Sequence, residues 1–266
     1  GEITAHIATS LKTPIGRRSE PLNVEEYVER RERYRSTHVH TEFIKLFSDG
    51  VPTVARTAVM LAPYVHDDDF AEGHKGDLHL APEILAADIT ALDKAGFTVK
   101  THTAGDGSVR AVLDAIEAAR KANGDSGLRH ELAHAGYIDP SDIPRFRELN
   151  AVPDFSPYIW HPSPIIDSVL AAVGQERGEK YFPTRSLLDD GATLLVGSDW
   201  PAAVPSANPW IAIEALVSRK DPYGQARGTL WPEQAVSLAE GLELFTLNGA
   251  KALRLEHLTG SVEADK

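Results

Sequence analysis

Short apolar runs alternating with amphipathic segments constrain this chain more than any other feature. Strand-like runs fall at 4–8, 42–47, 97–102, 128–134, 151–155 and 192–197. Between them, 82–95 carries Pro82 in its first turn, Gly96 as its stop, and Ile84, Leu85, Ile89 and Leu92 on one helical face. The segment 108–122 repeats the design, with Val109, Val112, Leu113 and Ile116 inward and Gly124 as stop. A further helix opens at 140–146, and 233–253 reads as one long helix. Strands separated by helices imply parallel βαβ units, because a parallel pair cannot be joined by a tight turn. The predicted fold class is therefore α/β, a (β/α)8 TIM-barrel-like architecture with six of its eight strands present. The acidic, glycine-containing segment 64–80 reads as an exposed insertion after the second strand.

Composition removes several partners. Lys and Arg total 27 against 39 Asp and Glu, a formal charge of −12, which disfavours a nucleic-acid phosphate track or an anionic membrane surface. There is no cysteine, so a disulfide scaffold, a Cys-ligated zinc and a Cys nucleophile are excluded. No apolar run is long enough to span a bilayer. Composition says nothing positive about the ligand; the partner expected is a small-molecule substrate. The cytoplasm is the favoured compartment unless an export signal lies in a preceding segment, since the chain begins at Gly1 without an initiator Met.

Chemistry in parallel α/β folds gathers where strands end. Four polar residues sit there: Lys45 inside the run 42–47, His102 closing 97–102, His134 closing 128–134, and Asp199 just after 192–197. Each has an ordinary reading: a hydrogen-bonded half-buried histidine, a snorkelling lysine, a helix-capping aspartate. Together, two imidazoles and a carboxylate make a donor set for a divalent metal such as zinc. The lysine fits beside a cation only if its charge is removed, as in a carbamate. Such a metal would bring the pKa of a bound water to about 7, and Asp199 would act as general base.

The motifs that carry these residues are Phe43-Ile44-Lys45-Leu46-Phe47-Ser48-Asp49-Gly50, His102-Thr103-Ala104-Gly105-Asp106, Leu132-Ala133-His134-Ala135 and Gly197-Ser198-Asp199-Trp200-Pro201. In this combination the sequence resembles the amidohydrolase superfamily, specifically amidohydrolase family 3, the N-substituted formamide deformylase-like and exoenzyme-regulator-like branch. The resemblance implies a metal-dependent hydrolase barrel that cleaves non-peptide C–N bonds with one or two divalent ions, most simply zinc. It implies Lys45 as the carboxylated bridging ligand, His102 and His134 as further ligands, and Asp199 as ligand and base. Asp49, Tyr64, Asp106 and Trp200 would line the substrate pocket. His161, after the run 151–155, is a further candidate to face substrate.

Two departures matter. The family's His-x-His pair ends its first strand, far upstream of the bridging lysine, and this chain has too few residues before Lys45 to hold it. His38-Val39-His40 has the right spelling but precedes the Lys45 strand, which puts it at the opposite end of the barrel. The small β-sandwich that follows the barrel in the family is also missing. The expectation is a C-terminal fragment, residues 1–266 forming a partial barrel without its first strands or sandwich. Its exposed sheet edges would invite self-association. The alternative to a hydrolase is a degenerate, non-catalytic barrel in a regulatory or interaction role.

Overall fold

The computed structural model describes residues 5–202 and 204–264. Six strands form one parallel sheet in sequence order, β1 (Ile7–Lys12), β2 (Val39–Phe47), β3 (Thr98–Thr103), β4 (Glu131–His134), β5 (Val152–Phe155) and β6 (Leu195–Val196). Strands laid down in order, each return made by a helix, give a curled, open sheet, the partial (β/α)8 barrel the alternation predicts. The first strand starts later than predicted and runs to Lys12; Thr4 lies outside the described residues.

Period-2 alternation sorts the strand residues. Ile44, Leu46, Val99 and Leu132 are fully buried against the helical layer. There they meet Leu85, Ile89 and Leu92 of α2 (Pro82–Lys94), and Val112, Leu113 and Ile116 of α3 (Asp106–Asn123). Each such side chain taken out of water contributes about 1.5–3 kcal/mol before entropy is counted. The opposite, concave face carries Phe43, Lys45, Lys100, Glu131, Ala133 and Asp154.

The remaining helices are α1 (Val24–Tyr34), α4 (Ile143–Glu148), α5 (Pro164–Val173), α6 (Gln175–Gly178), α7 (Thr184–Asp189), α8 (Pro209–Ser218), α9 (Leu238–Phe245) and α10 (Leu247–Leu253). The single long helix expected over 233–253 is broken. A 3-10 turn occupies Pro232–Gln234, and a new helix starts at Ser237, whose hydroxyl and Glu240 form a reciprocal capping box. Thr246, at φ −121° and ψ −85°, separates α9 from α10. The insertion 64–80 is less exposed than predicted. Tyr64 and Leu80 are buried, and the backbone N–H of His79 donates to the Ser48 carbonyl at 2.8 Å, tying the loop to the end of β2.

Candidate functional site

The concave face deepens into a cavity of about 310 Å³. Lys45, Lys100, Glu131, His134, Asp154 and Asp199 supply its charged and titratable lining. The register explains the gathering: Lys45 lies opposite Lys100, Lys100 opposite Glu131, and Ala133 opposite Asp154. Neighbouring strands thus present charged side chains at one level of the same face.

The sequence reading missed Lys100. Its ammonium lies 3.2 Å from a Glu131 carboxylate oxygen and pairs closely with Asp154. Burial opposes that charge, but Asp154 and Glu131 together hold the Lys100 pKa above the ordinary lysine value. Glu131, itself 5% exposed, has its pKa raised by burial against the pull of Lys100. Lys45 is the counterpart: Asp154, Asp199 and Glu131 act on it only from farther off. Burial, reinforced by the neighbouring Lys100 charge, lowers its pKa to about 8. Its Nζ sits 5.3 Å from the centre of the Phe47 ring.

The two histidines meet edge to face, with ring centres 4.7 Å apart. His102 bonds through Nε2 to the Gly50 carbonyl at 2.8 Å. Burial, then Lys45, keeps its pKa below the usual imidazole value. For His134 burial, His102 and Lys45 act together and the pKa falls to about 3. The His134 ring is therefore neutral at neutral pH. His134 also holds a left-handed backbone at φ +71°, a strained conformation for a side chain of this size, at the point where β4 turns out of the sheet. Asp199, at φ +53°, is exposed on the rim after β6.

The other candidates scatter. Asp49 is buried beneath the rim, accepting from the backbone N–H groups of Val59 (2.9 Å), Ala104 (3.0 Å) and Gly105 (3.1 Å). Burial raises its pKa to about 6 even so. The approach at Gly105 is too close for a side chain: a Cβ there would lie 2.1 Å from the Val59 carbonyl oxygen. Asp106 opens α3 and accepts from Leu61 N–H at 2.7 Å. Tyr64 donates its hydroxyl to the Ala58 carbonyl at 2.7 Å and lines a different concavity. His161 is 7% exposed, its Nδ1 3.0 Å from the Pro162 carbonyl oxygen and its Nε2 3.1 Å from that of Tyr158. Trp200 is 58% exposed. The cavity therefore unites Lys45, His134 and Asp199, with His102 against His134, and leaves Asp49, Tyr64, Asp106, His161 and Trp200 outside its lining.

The expected metal centre is not built by this arrangement. Among the described residues, no group of three or more His, Asp or Glu side chains is placed to hold a metal ion. The physical reason lies in Lys100: Glu131 and Asp154, the carboxylates of the cavity floor, are both engaged by its ammonium. A second lysine amine, Lys45, faces the same space. A divalent cation there would meet the charge of two lysines beside the histidines, while Asp199 stands exposed on the rim. This corrects the zinc or other divalent cofactor, the metal-activated water, the general-base role of Asp199 and the metal-dependent amidohydrolase activity expected from the sequence. A carbamate on Lys45 loses its purpose with them.

A model of the amidohydrolase family matches residues 8–266. The chain belongs to that family. This amidohydrolase-family chain is 34% identical over 187 residues to Protein LONG AFTER FAR-RED 3 of Arabidopsis thaliana, covering 70% of this chain and 31% of that protein. It is 31% identical over 176 residues to N-substituted formamide deformylase of Arthrobacter pascens, covering 65% of this chain and 31% of the enzyme. Among solved structures, an uncharacterized metal-dependent hydrolase of Pyrococcus furiosus superposes with a TM-score of 0.69 at 24% identity, covering 90% of this chain and 46% of that one. That likeness is one of fold. The chain spans less than half the length of each of these relatives.

Proposed function

We propose that this amidohydrolase-family chain serves an interaction or regulatory role as a non-catalytic barrel. The observation that carries the reading is the Lys100–Glu131–Asp154 ion cluster, in which both carboxylates on the floor of the cavity are paired with one ammonium. A floor of this kind binds and orders; it does not activate water through a metal. The described residues act as one partial barrel. Among the described residues no helix is long and apolar enough to cross a membrane. Within that role, Lys45, His134 and Asp199 line a binding surface for a small polar molecule.

The edge strands supply the interaction. Among the described residues, β1 is bonded on one side only, to β2, and β6 only to β5. Ile7, 42% exposed, begins the β1 edge. An uncovered parallel edge is a template for another chain, and the partner proposed is a second copy. Sedimentation velocity over a concentration series tests this. The chain should self-associate in the micromolar range, and Ile7→Lys, which places a charge on the edge, should weaken association about tenfold. A monomer at every concentration, or association untouched by Ile7→Lys, contradicts the reading.

A further inference from the structure

Away from the barrel floor, the loop between β2 and α2 builds a second concavity. Arg56, Tyr64, Asp67, Phe70, Glu72 and His74 contribute to the lining of a cavity of about 160 Å³. Arg56 is only 5% exposed. Its Nη2 pairs with Asp67 at 2.9 Å, and its guanidinium carbon lies 4.9 Å from the centre of the Phe70 ring. Its Nε and Nη1 are buried with no hydrogen-bond partner among the described residues. A guanidinium keeps its charge throughout the physiological range and cannot act as an acceptor, so two unused buried donors call for acceptor oxygens.

The walls are fixed rather than loose. His74 Nε2 bonds to the Arg56 carbonyl at 2.8 Å, and the His74 ring stacks on Tyr64 and Phe70 at 5.8 and 4.9 Å between centres. Asp67 and the exposed Glu72 add negative charge to the lining. A simple anion would satisfy the arginine and be repelled by these carboxylates. A simple cation would do the reverse. A molecule carrying both charges a few ångströms apart matches both.

We propose that this cavity binds a small zwitterion, an α-amino acid of the size of glycine or alanine. Its carboxylate accepts from the free Arg56 donors, and its ammonium faces Asp67, Glu72 and the Phe70 ring. The inference stands on the loop alone and is independent of what the barrel floor does.

Titration of the isotopically labelled full chain with glycine, acetate and methylammonium at matched ionic strength, followed at the arginine Nε–H resonances, tests it. Glycine should shift the Arg56 signal saturably, with acetate and methylammonium at least about tenfold weaker. Arg56→Lys, which keeps the charge and loses the free donors, should weaken glycine about tenfold at an unchanged melting temperature. Should that variant fail to fold, Glu72→Gln on the exposed rim decides: glycine should weaken severalfold while acetate does not. Absence of a saturable glycine shift, acetate binding as tightly as glycine, or glycine affinity unmoved in the variants overturns the proposal.

Discussion

Two lysines on one concave face behave in opposite ways, and the difference lies in their neighbours. Lys100 has two carboxylates and stays charged; Lys45 has burial and a neighbouring ammonium, and its amine is free near pH 8. Amine-selective acylation should therefore label Lys45 with a pH midpoint near 8, well below that of ordinary surface lysines. Peptide mapping across a pH series checks this, and a midpoint at the ordinary lysine value would show that Lys45 is not buried as described. Removing the other amine costs stability instead. Lys100→Met strands Glu131 and Asp154 as unpaired, largely buried carboxylates, a loss of about 3 kcal/mol. Denaturant titration should show the lower midpoint with an unchanged slope. Lys100 was within reach of the sequence: it stands two residues before His102 in a strand, hence on the same face. Its partners were not, because Glu131 and Asp154 come from other strands and only register brings them opposite.

At the scale of elements, the joint between α2, α3 and β4 is a second buried ionic device. Asp93, at the end of α2, accepts from Arg120 (2.9 Å), His130 (3.0 Å), Asn123 (2.8 Å) and Ser126 (2.5 Å). Burial works to raise its pKa, but the hydrogen bonds from His130, Ser126 and Asn123 outweigh it and hold the carboxyl well below the ordinary aspartate range. Asp93→Asn should cost about 2 kcal/mol near neutral pH. A depressed folded pKa means that this stability is fully present above the unfolded aspartate value of about 3.9 and is lost as pH falls toward the folded value. Melting temperatures of the two proteins should accordingly converge below about pH 4, and a constant gap would contradict the assignment. The helices around this joint were legible because Pro82, Gly96 and Gly124 punctuate a clean 3.6-residue period. The segment 233–253 was not, because its apolar period runs through Ser237 and Thr246, and only the caps reveal the breaks.

For the molecule as a whole, the strand–helix rhythm was enough to give a partial parallel barrel, and the strand-end rule was enough to bring Lys45, His102, His134 and Asp199 toward one face. What the rule could not give was the charge balance of that face. A metal centre and an internal ion cluster draw on the same residue types, and they differ in whether the carboxylates are free. In this amidohydrolase-family chain they are bound to Lys100. The measurement that meets the claim head on is the metal content of the purified chain after equilibration with zinc, manganese or iron and removal of loosely held ions. The account predicts far less than one ion per chain, with His102→Ala and His134→Ala making no difference. One or two tightly held ions per chain, lost on substitution of either histidine, would contradict it.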